Sequence, residues 1–344
     1  MATTRLITAI AIAALLFLGA PQSRAADEFG IFETVHISSV SFAETRAALE
    51  TAIETSGLLL HGSHTVRLPD QSHEAAIYVL TSPTYADAAA EESPRTISAQ
   101  VLRIAVYTWG EQQETQINMA NPVAHAMVFY ANSPRYRELL AAAGQAADEI
   151  RRTVASVPGR AISAPVEPLR TEKHYNKYKG DGPARMMAKF RTWENSQLPI
   201  IEDTAANFEQ VVTRVAGALD AGAVADATET TGWETVATIQ LRDDAVYLGL
   251  TNPYIENRMV TINSRFRKDG KTEVSPYPGV DHLAALPTDL LIVREGDRTT
   301  VLHYGQMWRM QLYFWDSGYR AFTANVGVPG AIANSIEKAV TGTD

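Results

Sequence analysis

Thr81-Ser82-Pro83, followed at a distance by Ile104-Ala105-Val106-Tyr107 and Gly110, returns later in the chain as Thr251-Asn252-Pro253 followed by Leu290-Leu291-Ile292-Val293 and Gly296. The first match has an offset of 170 residues and the second an offset of 186. The 16-residue difference is accounted for by an insertion near 258–280. It contains Lys268-Asp269-Gly270-Lys271, an Asp-Gly turn between the strand-like runs Val260 to Arg267 and Thr272 to Tyr277. Two ordered matches with an interpretable insertion read as a tandem duplication of one small unit.

Working outward, each unit has the same grammar. In the first, Ile31 to Ser38 alternates as a strand, and Phe42 to Ser56 has helical spacing with Ser41 and Glu44 placed for a capping box and Gly57 for a stop. Leu58 to Leu68 and Ala75 to Thr81 are β-rich on either side of a polar turn, and Thr84 to Glu92 suits a short helix. Val101 to Trp109 and Glu114 to Met119 form a hairpin around Gly110, and the Ala-rich run Pro134 to Ser156 closes the unit as a long helix. In the second, Phe208, Val211, Val212, Val215 and Leu219 line one helical face, and Val246 to Thr251 is a strand. The expected organisation is a signal segment 1–25, a first repeat 26–157, a linker 158–193 and a second repeat 194–344. The expected fold class is α/β, an α+β mixed sheet with flanking helices in each repeat, the two pairing as an intrachain pseudo-dimer.

Both units resemble the family catalogued as domain of unknown function 302. The resemblance is carried in the first unit by Phe42, Gly57, Ser82-Pro83, Arg103 to Tyr107, Gly110 and Asn121-Pro122. In the second it is carried by Phe208, Gly222, Asn252-Pro253, Leu286-Pro287, Leu290 to Val293 and Gly296. Many family members have a cysteine before the Asn-Pro pair or after Leu-Pro; here Thr81, Thr251 and Thr288 stand in those places, and Ala99-Gln100-Val101 stands where the first Leu-Pro is expected. The resemblance implies a mixed sheet flanked by helices and pairing of units, which a tandem chain makes internal, giving a monomer with a pseudo-twofold axis. Any thiol-dependent role of relatives does not carry over.

Composition narrows the function. The chain has 344 residues, 46% hydrophobic and 20% charged, enough for about two globular domains. A formal charge of −9 disfavours nucleic acid as a partner. The absence of cysteine excludes disulfides, Cys-ligated metal or iron–sulfur centres and attached c-type haem. No phosphate-binding loop, nucleophile elbow or His-Glu-x-x-His motif is present, so neither a nucleotide site nor a standard catalytic site is legible. Arg5, the apolar run Leu6 to Ala20, and Ser23-Arg24-Ala25 after Pro21 read as a cleavable export signal. That run is shorter than the roughly 20 residues of a spanning helix. The expected location is the periplasm, after cleavage following Ala25.

Three groups of residues are candidates for chemistry. His61-Gly62-Ser63-His64 with His73 offers three imidazoles suited to copper, zinc or nickel, provided a bulge at Gly62 brings His61 and His64 to one face. Met119, His125 and Met127 around Asn121-Pro122 offer soft ligands for copper. The aromatic run Trp308 to Phe322, with Trp315 inside it, would line a ligand pocket together with Asn121 and His125, or form the seam between repeats. Residues 158–193 carry eight Lys or Arg against three acids, a solvated linker or a docking patch for an acidic partner. The reading that ranks first is a non-catalytic binding module for a small ligand or a periplasmic protein. Behind it stand a metal-binding protein using His61, His64 and His73 and, as the family's association with bacteria of that metabolism implies, an enzyme with an unrecognised site in the periplasmic oxidation of small inorganic or sulfur compounds.

Overall fold

The structure is a computed structural model and describes residues 27–69, 72–189, 191–204, 207–221, 232–262 and 276–342. The export signal 1–25 and the turn Lys268 to Lys271 lie outside the described residues.

The first half contains strands β1 (Glu28–Ser38), β2 (Leu59–Thr65), β3 (Ala75–Thr81), β4 (Leu102–Trp109) and β5 (Glu114–Ala120). Its helices are α1 (Phe42–Glu54), α2 (Pro83–Ala88), α3 (Pro122–Phe129) and α4 (Tyr136–Val154). Strand β6 (Gly159–Thr171) and the short helix α5 (Glu172–Tyr175) follow. The second half contains β7 (Gln197–Asp203), α6 (Phe208–Ala221), β8 (Glu234–Arg242), β9 (Ala245–Thr251), α7 (Pro253–Thr261), β10 (Thr288–Glu295) and β11 (Arg298–Tyr304). Helices α8 (Gln306–Phe314), α9 (Gly318–Ala324) and α10 (Val328–Thr341) complete it. A 3-10 helix precedes the fourth strand of each half, Pro94–Ala99 in one and Pro278–Ala285 in the other.

The fold class is α/β, with two sheets and flanking helices. The first sheet runs β2-β3-β4-β5-β1-β6 and the second β7-β11-β10-β9-β8, so the same strand order occurs in both once β6 is set aside. Every neighbouring pair is antiparallel. The central strands β3, β4, β9 and β10 are covered on both faces, which is why they read as unbroken apolar runs rather than alternating ones. Helix α1 begins with the expected capping box, Ser41 and Glu44 bonding reciprocally across the first turn.

One face of the first sheet meets α1, where the Tyr78 hydroxyl donates to Glu50 (2.8 Å) and accepts from Arg46 (3.0 Å). The opposite face meets the other half: Asn118 Nδ2 of β5 donates to the backbone carbonyl of Asp281 at 2.8 Å. The exchange is reciprocal, since the 3-10 helix 94–99 lies over β9 and β10 while 278–285 lies over β4 and β5. Arg95 of the former pairs bidentately with Glu295 (2.7 and 3.0 Å), and Tyr304 donates to the Arg95 carbonyl at 2.6 Å. Buried apolar side chains of both halves form one contiguous core.

Two expectations need correction. Residues 159–171 are not irregular linker but strand β6, hydrogen-bonded along β1. Pro165 and Pro168 are tolerated because β6 is an edge strand, and the register slips between the pairs Gly30–Leu169 and Phe32–Val166, around Pro168. Arg170, counted among the linker's surface cations, is buried against Asp181 (2.6 Å) and donates to the Leu312 and Gln311 carbonyls at the end of α8. Second, Val260 and Thr261 end helix α7 instead of opening a strand, because Asn252 caps that helix and Pro253 starts it.

Edge strands β2 and β8 meet at Gly62, where a Cβ would run into the backbone carbonyl of Val236. Backbone cannot swing aside as a side chain can. Gly62→Ala is therefore expected to destabilise the chain by about 1–3 kcal/mol in urea denaturation, and unchanged stability would mean that the two edges do not touch.

A candidate site: the buried charge cluster between the halves

The hairpin registers identify equivalent positions in the two halves. Ala105 faces Asn118 in the first hairpin and Leu291 faces Leu302 in the second. On that alignment Arg103 of β4 corresponds to Asp289 of β10, and His125 of α3 corresponds to Arg309 of α8. These four side chains are 1%, 2%, 3% and 6% exposed respectively, and they converge where the halves meet.

Arg103 Nη2 lies 2.9 Å from His125 Nε2 and donates to the Tyr313 hydroxyl at 3.1 Å. His125 Nδ1 is 2.8 Å from the Asn121 carbonyl, so the proton sits there and Nε2 is left to accept. The ring is neutral: burial, then the Arg103 charge, push His125 down to about 3. Arg103 Nη1 is 3.8 Å from Asp289 Oδ1, and Arg309 Nη2 is 3.3 Å from Asp289 Oδ2 and 3.0 Å from the Ala285 carbonyl. Both guanidinium groups lie against the ring of Tyr313, at 5.7 and 5.6 Å. Among the described residues, Arg103 Nε, Arg309 Nε and Asp289 Oδ1 make no hydrogen bond.

Arg309 and Tyr313 also form one wall of a cavity of about 70 Å³ in the second half. Met259 of α7, Phe314 of α8, and Val328 and Ile332 of α10 supply apolar walls, with Thr288 and Gln306 nearby. Tyr313 therefore joins the cavity to the charge cluster.

A second buried group lies on the same seam. His282 Nδ1 is 2.6 Å from Asp281 Oδ1 and its Nε2 is 3.1 Å from Asp316 Oδ1, with the ring stacked on Phe314 and edge-on to Phe32 of β1. The flanking carboxylates outweigh the burial penalty and raise the imidazole above its ordinary value.

The other candidates are dispersed. The register of β2 slips between Leu60 and Gly62, as a bulge there requires, yet each imidazole has its own partner. His61 Nε2 bonds the Thr81 hydroxyl (2.8 Å) and His64 Nε2 bonds Glu256 (2.7 Å). His73 lies between Ser72 Oγ (2.9 Å) and the Gly110 carbonyl (3.2 Å). No group of three His, Asp or Glu side chains among the described residues is gathered as metal ligands. Asn121 caps α3, accepting from Val123 and donating to the Gly30 carbonyl. Met119 and Met127 are core side chains. Trp308 is buried edge-on to Phe129 of the first half, whereas Trp315 sits apart beside Phe322. Of the candidates for chemistry read from the sequence, His125 belongs to the charge cluster, and the aromatic run Trp308 to Phe322 supplies its Tyr313 and Arg309. Arg103 enters the sequence reading only as part of a strand motif and Asp289 not at all, although a charge at the mouth of each apolar hairpin is a visible signal.

The buried histidines make stability pH-dependent in opposite directions. His125, and His303 at about 4, are depressed mainly by burial, so between their folded values and 6.5 the unfolded chain binds protons the folded chain refuses. Stability is lost there as pH falls, by about 1.4 kcal/mol per pH unit for each. His282 is raised, so its contribution is whole below 6.5 and lost as pH climbs through the higher folded value. The histidine contribution is expected to peak near pH 6.5. In urea denaturation, His125→Gln should flatten the slope between pH 5 and 6; an unaltered slope would show that His125 is not a buried neutral base.

No family model matches the chain, and no curated protein matches it. Among solved structures it is similar to an uncharacterized conserved protein of the domain-of-unknown-function 302 family from Bacillus stearothermophilus. The identity is 20%, over 36% of this chain and 96% of that one, with a TM-score of 0.31.

Proposed function

We propose that the chain is two fused copies of the domain-of-unknown-function 302 type, exported to the periplasm, where it acts as a non-catalytic binding module for a small ligand. The ligand site is the cavity bounded by α7, α8 and α10. The observation that carries this reading is the position of Arg309 and Tyr313, which belong at once to the cavity wall and to the buried cluster joining the halves. A ligand there touches the seam. A pocket walled mainly by apolar side chains with a small number of polar groups is the usual form of a small-molecule site.

Recurrence of one strand order in both sheets supports the fused-copy reading. The run Leu6 to Ala20 and the small residues Ser23 and Ala25 support export.

Native mass spectrometry of the untagged chain, purified from its own periplasm and compared with its denatured mass, tests the reading. The expected result is an excess of organic size that disappears in Val328→Trp, where the new ring takes up the cavity space that Val328 lines. An excess equal to one transition-metal ion, retained in that variant, would contradict it.

A further inference from the structure

The charges in the cluster do not balance. Arg103 and Arg309 bring two positive charges, His125 is neutral, and Asp289 is the carboxylate that acts on Arg103, His125, Tyr247 and His303 alike. Asp289 lies within ion-pair distance of both guanidinium groups, at 3.8 and 3.3 Å. One carboxylate thus serves two buried cations, leaving a net charge of about +1 in a region of low dielectric, where an uncompensated ion is costly. Both guanidinium groups keep nitrogens with no hydrogen-bond partner among the described residues, Arg103 Nε and Nη1 and Arg309 Nε, and of the two it is Arg309 that lines the cavity. Arg258, exposed and stacked on Tyr254, adds a second cation to the cavity lining. Thr288, Gln306 and Asn325 add neutral polar groups, and the rest of the wall, with Met259, Phe314 and Ile332, is apolar and leaves a space suited to a tail of a few carbons.

We infer that this cavity takes a small organic monoanion, a carboxylate with a short apolar tail, whose charge completes the Arg103–Asp289–Arg309 cluster. The inference rests on the proposal that the cavity is the ligand site, and it names the chemistry of the occupant. The carboxylate accepts hydrogen bonds from Arg309, the tail lies against Met259, Phe314 and Ile332, and the bound anion makes the buried charges even. A cation of the same shape is repelled by Arg309. A neutral alcohol fills the apolar walls but leaves the guanidinium uncompensated.

Isothermal titration of the full mature chain with butyrate, butan-1-ol and butylamine separates these cases. Butyrate is expected to bind about tenfold or more tightly than either other probe, because a charge-assisted bond replaces a neutral one or a repulsion. Arg309→Met should remove that preference. This variant is expected to fold, since it leaves Arg103 and Asp289 as a balanced pair, and thermal melting will show that it does. Val328→Trp should abolish binding of all three probes with Arg309 in place. Butan-1-ol binding as tightly as butyrate would overturn the anion inference while keeping the cavity as a ligand site. Butyrate failing to bind at millimolar concentration would also overturn it, and the native mass excess then judges the cavity separately. Butyrate binding that survives both substitutions would show that the anion sits elsewhere.

Discussion

Arg103 and Asp289 occupy equivalent positions in the two hairpins, yet carry opposite charge and face each other in a buried seam. That opposition constrains everything around it. When two identical units pair about a twofold axis, a residue near the axis meets its own copy, and a buried arginine would meet an arginine. In one chain the two positions differ, and an ion pair forms where a symmetric dimer would have repulsion. His125 and Arg309 show the same divergence: one half contributes a neutral acceptor where the other contributes a cation.

The remainder of the seam is arranged to keep water from these charges. Each half lends a 3-10 helix to cover the other's sheet, the arm Arg95–Glu295 closes one side, and Glu256 closes another by accepting from His64 and the backbone of Arg67. Phe32 stacks on Tyr313 in the middle, and His282, held between two carboxylates, stacks on Phe314 beside them. Low dielectric strengthens each pair and raises the cost of any charge without a partner. Arg103 and Arg309 share the single carboxylate of Asp289, and of the two Arg309 lies on the cavity wall. On the proposed reading, stability of the seam and affinity for an anion follow from the same buried charges.

Much of the architecture is legible in the amino-acid sequence because it depends on local rules. The capping box at Ser41 and the apolar runs of β3, β4, β9 and β10 state their structure directly. Helix α3 is harder: Asn121-Pro122 is a cap followed by a proline, but Met119, His125 and Met127 compete as a metal pattern until their burial in the core is known. Strand β6 is hidden because its prolines signal irregularity unless one knows that it lies at an edge. The site itself is not local at all. Arg103 and Asp289 are far apart in the chain, and their encounter depends on how two sheets face each other. The histidines of β2 fail as a group for the same reason, each being claimed by a different neighbour, His64 by Glu256 of the other half.

A double-mutant cycle on Arg103 and Asp289 tests most directly whether their attraction joins the halves. Stability of the parent chain, Arg103→Met, Asp289→Asn and the double variant would be measured by urea denaturation at pH 7. The expected result is a favourable coupling of about 1–3 kcal/mol, with the double variant less destabilised than the two single losses together. Single losses that simply add would contradict the account, because the two charges would then stabilise the chain independently and the seam would owe nothing to their opposition.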